Sequence, residues 1–288
     1  MARMSPRTLQ LRTRTLDLST PIVMGILNVT PDSFSDGGRF AAPAEAVAHA
    51  RAMARAGAAI IDIGGESTRP GALPVAAAEE LARVLPVLEA LVAAGAPPVS
   101  VDTTKPEVMR AAADAGAELI NDVMALRAPG ALEAAAASGC AVCLMHMQGK
   151  PRTMQQAPRY DDVVTEVYDF LAARVEACLQ AGIERARLLA DPGFGFGKSL
   201  AHNLALMRHL GRFESLGVPL LVGVSRKSMI GGVTGRPVEE RLAGGLALAT
   251  FAAREGAAII RSHDVAPTLD ALAMTAAVLA AHEPGEEG

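Results

Sequence analysis

Short runs of Val, Ile and Leu alternate along the chain with longer stretches rich in Ala, Leu, Glu and Arg. The short runs have the length of buried strands, and the longer stretches carry apolar residues at helical spacing. Eight such pairs follow one another. The predicted strands span residues 22–29, 59–63, 99–101, 118–123, 141–146, 187–190, 220–224 and 257–261. The predicted helices span residues 43–56, 76–94, 106–115, 129–138, 160–181, 201–216, 238–255 and 266–281.

This unbroken series of eight strand–helix units predicts an α/β fold, a single (β/α)8 TIM barrel. A doubly wound sheet is the alternative, but it would usually break the series or add an antiparallel edge strand. Pro43, Pro106 and Pro237 lie near predicted helix starts, and glycines follow the predicted helix ends.

The ends of the chain are expected to differ from the barrel. Leucines alternate at 9 and 11 and at 16 and 18, which predicts a short N-terminal strand or hairpin. No linker divides the remainder, so residues 1–282 are predicted to form one domain and residues 283–288 a flexible acidic tail.

Composition narrows the function classes. Half of the 288 residues are hydrophobic, which excludes disorder, and no apolar run is long enough to span a membrane. The net charge of −4, with no basic stripe, argues against a nucleic-acid partner. Three cysteines are an odd number, and Cys140 and Cys143 are spaced to face opposite sides of a strand. A reducing, cytoplasmic location is therefore expected.

Polar residues are concentrated where the predicted strands end, which is where TIM barrels carry their active sites. These strand-end residues are Asn28, Asp62, Glu66, Thr68, Arg69, Asp102, Asn121, Asp122, His146, Asp191, Lys227, Arg261 and His263. The chain has only four lysines against 23 arginines, and all four follow strand ends: Lys105, Lys150, Lys198 and Lys227. A Lys retained among so many Arg residues suggests a need for a compact ammonium, although chance is an equal alternative for any one of them.

Aspartates after strands are usually caps or turn formers, but Asp191 is followed by Pro192 and by glycines at 193, 195 and 197. Such a loop suits close backbone approach. Two carboxylates with an Asn and a Lys suit a bicyclic amide such as a pterin or purine, whose ring N–H and amino groups donate to carboxylates. Arg261 and His263 face the same way and, with Asn28, suit a phosphorylated tail.

Other readings of the same residues fit less well. The segment GFGFGKS lacks the first glycine of a Walker motif, since Pro192 stands there. No HExxH motif or His cluster indicates zinc. Lys227 could serve a Schiff-base enzyme. Met145 is either core filler or a contact to a flat ring.

The motifs together resemble those of the bacterial dihydropteroate synthases. The matching segments are GILNVTPDSFSDGG (25–38), DIGGESTRPGA (62–72), SVDTTKP (100–106), INDV (120–123), MHMQGKPRTMQ (145–155), DPGFGFGKS (191–199), GVSRKSMI (223–230) and RSHDV (261–265). They lie at all eight strand ends. The resemblance implies joining of 4-aminobenzoate to a dihydropterin methyl diphosphate, with release of diphosphate and 7,8-dihydropteroate, and it implies a homodimer.

The resemblance also implies residue roles. The pterin would be held by Asp102, Asn121, Met145, Asp191 and Lys227. The diphosphate would meet Asn28, Arg69, Arg261 and His263, with Mg²⁺ at Asn28. The aminobenzoate would lie near Phe34, Thr68, Arg69, Pro70, Phe196 and Ser228, with Ser228 at the start of a helix. The catalytic set would be Asp102, Asp191, Lys227, Arg261 and His263.

We hypothesise a dissociative substitution, because the carbon attacked is allylic to the pterin ring and its positive charge can spread into that ring. The carboxylates would stabilise this cation and no protein nucleophile would be needed. Two rivals keep the pterin pocket: a pterin-dependent methyltransferase module, which would lack the STRPGA, SRKS and RSHDV segments, and a non-catalytic paralogue, which would lack anion or loop residues.

Overall fold

The computed structural model describes residues 7–30, 38–67, 71–149 and 153–281. It contains an N-terminal hairpin and a closed barrel of eight parallel strands, in which each strand pairs with the next along the chain and the last pairs with the first. The hairpin strands are β1 (Thr8–Gln10) and β2 (Thr15–Asp17). The barrel strands are β3 (Ile22–Asn28), β4 (Ile60–Gly64), β5 (Val99–Asp102), β6 (Leu119–Asp122), β7 (Ala141–Met145), β8 (Leu188–Asp191), β9 (Leu220–Gly223) and β10 (Ala257–Ser262).

Helices connect the barrel strands and cover their outer faces. They are α1 (Gly38–Arg55), α2 (Ala77–Ala93), α3 (Pro106–Asp114), α4 (Ala131–Ser138), α5 (Val163–Gln180), α6 (Leu200–Arg208), α7 (Ser228–Thr234), α8 (Leu242–Arg254) and α9 (Val265–Ala280). Short 3₁₀ helices span Arg185–Arg187, Leu210–Leu216 and Val238–Glu240. None of the helices within the described ranges is long and apolar enough to cross a membrane.

The TIM barrel and the N-terminal hairpin predicted from the sequence are confirmed, and the boundaries of the eight barrel strands agree to within one residue at every end. The helix starts were less predictable. Pro43 does not mark a helix start, because α1 begins at Gly38 and contains it. The predicted helix 201–216 is α6 followed by a 3₁₀ helix, and the predicted helix 238–255 is a 3₁₀ turn that Arg241 separates from α8.

Alternate residues of each barrel strand face the lumen, and the others pack beneath the helices. The outward residues belong to the large core between strands and helices, to which Ile61, Ile63 and Val101 contribute. At the amino end the lumen is filled by Met24, Ile60, Leu119, Ala141, Cys143, Leu189, Leu221 and Ile259. Leu9 and Leu11 of the hairpin region are fully buried against this cluster. The hairpin therefore closes the amino end, and the carboxyl end is left for polar side chains.

Candidate active site

Strand register brings several predicted site residues into one row. Asn28 of β3 is level with Gly64 of β4, Gly64 with Asp102 of β5, and Asp102 with Asn121 of β6. All four face the lumen at its carboxyl end. Because Gly64 has no side chain, space is left between Asn28 and Asp102. Asp102 and Asn121 therefore stand side by side, as a ligand with adjacent donor and acceptor groups requires.

Arg261 crosses the lumen from β10 and joins two carboxylates. Its Nε lies 2.6 Å from Asp62 Oδ2 and its Nη2 lies 3.1 Å from Asp102 Oδ2. Burial raises the pKa of Asp102 to about 7, although the charge of Arg261 opposes the rise. The pKa of Arg261 is raised above its ordinary value, since the attraction of Asp62 and Asp102 outweighs its own burial. The site thus holds a fixed cation between two carboxyl groups.

Asp62 lies among the candidate site residues, although the sequence predicted for it only a place among the strand-end polar residues. It is fully buried, and its Oδ2 also accepts a hydrogen bond of 3.1 Å from Asn121 Nδ2. Its other oxygen has no partner among the described residues. The Asp62 carboxylate therefore orients both Asn121, which is predicted to bind the pterin, and Arg261, which is predicted to bind the diphosphate. Its lumen-facing position in β4, two residues before Gly64, was the available signal.

Asp191 ends β8 and is buried on the opposite side of the lumen. Its Oδ1 accepts a 2.7 Å hydrogen bond from the backbone N–H of Gly193. Burial raises the pKa of Asp191 to about 6, against that hydrogen bond and the charges of Lys227 and Lys198. A desolvated carboxylate of this kind is poised to meet a hydrogen-bond donor or a cationic group.

The loop after Asp191 depends on glycine, as its composition predicted. Gly193 and Gly197 have φ of +71° and +62°, a region that favours glycine. A Cβ at residue 193 would overlap the carbonyl oxygen of His146, and one at residue 197 would overlap that of Gln148. The loop is therefore pressed against the end of β7, which fixes where Asp191 and Phe196 lie.

The buried side chain of Lys198 holds this loop in place through hydrogen bonds. Its buried Nζ lies 2.9 Å from His146 Nδ1 and donates to the carbonyl oxygens of Gly193 and Phe196 at 2.8 and 3.1 Å. Burial lowers the pKa of Lys198 to about 7, and burial together with Lys198 lowers that of His146 to about 2. His146 is therefore a neutral support of the loop, although the sequence placed it among the strand-end polar residues.

Lys227 and Phe196 form the wall between the β8 and β9 loops. The Lys227 Nζ lies 4.1 Å from the centre of the Phe196 ring. Burial lowers the pKa of Lys227 to about 8, while the charge of Asp191 opposes the shift. Met145, on the lumen side of β7, belongs to a small apolar cluster that Phe196 contacts. A flat ring between Asp102 and Asp191 would meet apolar atoms from this side.

Two polar contacts join the β9 and β10 loops. Ser225 Oγ lies 3.0 Å from His263 Nδ1, and Arg226 Nη2 lies 2.7 Å from Asp264 Oδ1. These contacts join the loop that carries His263, two residues after Arg261, to the loop after β9. Ser228 is the exposed first residue of α7, so the helix start implied by the resemblance is confirmed.

Not every predicted residue converges on the lumen. Asp122 points away, and its carboxylate accepts hydrogen bonds from the backbone N–H groups of Met124 and Leu126, which makes it the turn former that most such aspartates are. Phe34, Thr68, Arg69, Pro70 and Lys150 lie outside the described residues.

The site suits Mg²⁺ only as an ion shared with a phosphorylated ligand. No group of three or more His, Cys, Asp or Glu side chains among the described residues forms a metal cage. Mg²⁺ bound with substrate phosphates commonly takes only one or two protein ligands and keeps several waters. The amide oxygen of Asn28, a hard donor at the rim of the lumen, fits that requirement.

Comparison with known proteins agrees with this geometry. The model of the family described as pterin binding enzyme matches residues 24–263. The dihydropteroate synthase of Escherichia coli strain K12 is 57% identical over 268 residues, which cover 93% of this chain and 95% of that protein. A dihydropteroate synthase from Xanthomonas albilineans, solved in complex with 7,8-dihydropteroate, is 53% identical with a TM-score of 0.87, and the match covers 96% of this chain and all of that one.

A Yersinia pestis dihydropteroate synthase, solved as a sulfonamide drug complex, is 54% identical with a TM-score of 0.91 and is matched over its whole length and 95% of this chain. The family description alone would also admit other pterin enzymes, but the full-length relatives are synthases. The chain therefore belongs to the pterin-binding enzymes and, among them, to the dihydropteroate synthases.

Proposed function

We propose that this chain performs its family's reaction in the lumen between Asp102 and Asp191. The substrates are a (7,8-dihydropterin-6-yl)methyl diphosphate and 4-aminobenzoate, and the products are 7,8-dihydropteroate and diphosphate. The observation that carries the proposal is a pair of carboxyl groups facing one lumen, Asp191 buried and Asp102 with a tenth of its side chain exposed, together with the Arg261 cation that is bonded to Asp102.

Binding of the pterin exchanges contacts within the site. Asp102, Asn121 and Asp191 supply acceptors and a donor for the pterin ring, and Lys227 donates to it. Because Arg261 is bonded to Asp102, the arriving ring N–H groups compete for that carboxylate. Asp62 retains Arg261 at 2.6 Å, so the guanidinium stays in place for the diphosphate.

The bond that breaks joins the methylene carbon to the diphosphate oxygen. The electron pair leaves with the diphosphate, and the positive charge spreads from the carbon into the pterin ring. Asp102 and Asp191 stabilise this charge, while Arg261 and His263 stabilise the departing anion. Mg²⁺ held at Asn28 would supply further neutralisation of the diphosphate charge.

The bond that forms joins the same carbon to the amino nitrogen of 4-aminobenzoate, which then loses a proton. The arylamine is nucleophilic as the neutral base, so the protein need only position it and exclude water. Phe196 and Lys227 form the adjacent wall, and the exposed N–H groups at the start of α7, with Ser228, face a carboxylate favourably. The resemblance adds Phe34, Thr68, Arg69 and Pro70 to this subsite.

Product formation tests the proposal directly. Purified protein incubated with the pterin diphosphate, 4-aminobenzoate and Mg²⁺ should yield dihydropteroate and diphosphate in equal amounts. Pterin binding without product would favour the non-catalytic paralogue. The dissociative course predicts that a substrate with ¹⁸O in the bridging position scrambles this label into non-bridging positions before turnover. Turnover with no scrambling would favour a concerted displacement.

We also propose that the chain forms a homodimer. Neighbouring helices α8 and α9 expose apolar side chains: Phe251 is 37% exposed, Met274 65% and Val278 68%. Exposed apolar residues grouped in this way are typical of protein interfaces. Light scattering during size-exclusion chromatography should give twice the monomer mass, and Met274→Glu with Val278→Glu should reduce it to the monomer.

A cytoplasmic location is proposed on the state of the thiols. Cys140, Cys143 and Cys178 are all free and buried, as expected of a protein from a reducing compartment. Cell fractionation followed by immunodetection would test the location.

A further inference from the structure

Lys198 takes no part in the roles assigned above, and its surroundings differ from those of the other lysines that the structure describes. Lys105 forms ion pairs with the carboxylates of Glu66 and Glu80, and Lys227 is assigned to the pterin. Lys198 is only 3% exposed, yet within the described part of the chain it forms no ion pair with a carboxylate. Burial of an ammonium is unfavourable unless its hydrogen bonds are satisfied, so its neighbours must account for the charge that is kept there.

Neutral acceptors enclose the Lys198 ammonium. Its Nζ lies 2.9 Å from His146 Nδ1 and donates to the carbonyl oxygen of the same residue at 3.3 Å. It also donates to the carbonyl oxygens of Gly193 and Phe196 at 2.8 and 3.1 Å. Four acceptors thus surround the three N–H donors of the ammonium, so no donor is left without a partner. One side chain thereby joins the end of β7 to residues 192–197, the β8 loop.

The β8 loop supports two side chains that are assigned to the pterin. The N–H of Gly193 donates a 2.7 Å hydrogen bond to Asp191 Oδ1. Gly195 lies directly against Lys227, because a Cβ at residue 195 would be 3.2 Å from Lys227 Cδ. The centre of the Phe196 ring lies 4.1 Å from Nζ of the same lysine. The position of the loop therefore fixes Asp191 and Lys227 relative to each other.

Uncharged side chains also hold the β8 loop. Asn203 Oδ1 accepts a 2.7 Å hydrogen bond from the N–H of Gly195. Gln155, which is exposed, donates to the carbonyl oxygen of Gly195. Each of these two side chains reaches one residue of the loop, whereas the Lys198 ammonium reaches two and ties both to the end of β7. Removal of the ammonium should therefore release the loop more than removal of an outer amide.

The charge of Lys198 also acts on Asp191. Burial raises the pKa of Asp191 to about 6, and three cations oppose the rise: Lys227 from the loop after β9, Lys198 from the end of the β8 loop, and Arg261 from β10. Cys143 of β7 also lies near Asp191, but burial raises the pKa of its thiol, so it is neutral. Burial lowers the pKa of Lys198 to about 7, so its ammonium is still charged at pH 6. Loss of Lys198 should therefore raise the pKa of Asp191 further.

We propose that Lys198 is a positioning residue for the pterin: its buried ammonium holds the β8 loop, which places Asp191 and Lys227 around the ring, and it adds a positive charge near Asp191. The inference rests on the proposed function, because it takes Asp191 and Lys227 to bind the pterin. Since backbone and imidazole acceptors enclose the ammonium, Lys198 acts through these neighbours and not by contact with the substrate.

The test compares two variants. Lys198→Met keeps the apolar stem and loses both the donors and the charge, whereas Lys198→Gln keeps two N–H donors without a charge. Calorimetry with a pterin that lacks the diphosphate should show a Kd raised by about tenfold or more in Lys198→Met, because small misplacements of binding groups have large effects. The Kd of Lys198→Gln should lie between this value and that of wild type. The kcat should fall in both variants.

The pH profile separates the charge of Lys198 from its effect on loop shape. Ionised Asp191 is needed to stabilise the pterin cation, so kcat/KM for the pterin diphosphate should fall as the pH drops through the pKa of Asp191. This acidic limb should move to higher pH in both variants, because neither carries the cation that opposes the raised pKa. Titration of the substrate is common to all the proteins compared. An unmoved limb would leave Lys198 a purely structural support and overturn the proposal.

Gln155→Ala is the matched control. It also removes a side-chain donor to a carbonyl oxygen of the β8 loop, but the donor is exposed and uncharged, so water can replace it. The pterin Kd and the acidic limb should stay within about twofold of wild type. Hydrogen exchange followed by mass spectrometry supplies a readout that needs no activity: peptides covering 192–197 should exchange faster in Lys198→Met than in wild type or Gln155→Ala.

The results distinguish this inference from the proposed function. A wild-type protein that makes no dihydropteroate refutes the proposed reaction, whereas the pterin Kd and the exchange of the β8 loop still decide the role of Lys198. With an active wild type, the inference is wrong if Lys198→Met leaves the pterin Kd unchanged, or if Gln155→Ala weakens pterin binding as strongly. If Lys198→Met does not fold, Lys198→Gln is compared with Gln155→Ala in the same way.

Discussion

The two ends of the barrel lumen are built from the same strands by the same alternation of side chains, yet they have opposite character. At the amino end Met24, Ile60 and Leu119 pack under the hairpin. At the carboxyl end, two residues further along their strands, Asp62 accepts a hydrogen bond from Asn121 and another from Arg261. One apolar layer therefore serves as the rigid base on which a costly layer of buried charge is held. Substitutions at the two ends should therefore affect different quantities.

Asp191→Asn should produce the largest effect on activity. The change removes the negative charge that faces the developing pterin cation, and loss of one such electrostatic contact lowers kcat by about 10²–10³-fold. The barrel should remain folded, because an amide oxygen can still accept from Gly193. Steady-state kinetics with urea unfolding as the control would check this, and near-normal kcat would contradict the catalytic role of Asp191.

Leu9→Ala should lower the stability of the fold and leave activity nearly unchanged, which is the reverse of the effect of Asp191→Asn. Leu9 is fully buried under the amino end of the lumen, and truncation of a buried leucine costs about 2–5 kcal/mol of unfolding free energy. The value of kcat should change by less than about twofold at temperatures where the variant is folded, since the polar layer keeps its own hydrogen bonds. A large fall in kcat in the folded variant would show that the two ends are not independent.

The polar end should also make stability depend on pH in an uncommon direction. Burial raises the pKa of Asp102 to about 7 and that of Asp191 to about 6, both above the ordinary value of 3.8. Between the ordinary pKa of 3.8 and these raised values, the folded protein binds more protons than the unfolded chain. The contribution of the two carboxyl groups to stability is therefore fully present below about pH 4 and is lost as the pH rises towards 7.

Urea unfolding of the ligand-free protein at pH 5, 6, 7 and 8 would measure this contribution. The difference in unfolding free energy between Asp102→Asn and wild type should move in favour of the variant as the pH rises, because the amide never ionises. A difference that is constant with pH would mean that Asp102 is already ionised throughout, with Arg261 outweighing its burial.

Ser100→Ala should have the smallest effect on the unfolding free energy. It tests whether Ser100 belongs to the apolar layer or to the polar layer of the lumen. Ser100 is level with Asp62, is fully buried, and its hydroxyl has no partner among the described residues. Removal of such a hydroxyl should change the unfolding free energy by less than about 1 kcal/mol. A loss well above that value would place Ser100 in the hydrogen-bonded polar layer.

The sequence predicted most of the fold and much of the site because both follow from short-range rules. Period-two alternation places Asp102, Asn121 and Arg261 on the lumen side of their strands, and parallel strands bring their carboxyl ends together. The glycines after Asp191 likewise predicted close packing of the backbone. This prediction is confirmed at Gly193, where a Cβ would overlap the carbonyl oxygen of His146.

Contacts that depend on side-chain reach across the barrel were not predictable in this way. Nothing near Asp62 in sequence indicates that it would bond Arg261, and nothing near Lys105 indicates Glu80. The start of α1 was predicted five residues too late, because proline usually stands in the first turn of a helix, whereas Pro43 lies inside α1.

The bond between Asp62 and Arg261 spans 199 residues of sequence, and β10, which carries Arg261, must pair with β3 to close the barrel. During synthesis from the amino end, the first strands are therefore complete long before their cation has been translated. Until β10 docks, Asp62 and Asp102 lack the hydrogen bonds that Arg261 donates to them. A chain truncated before β10 would therefore lack both the strand that closes the barrel and the arginine of the proposed diphosphate site.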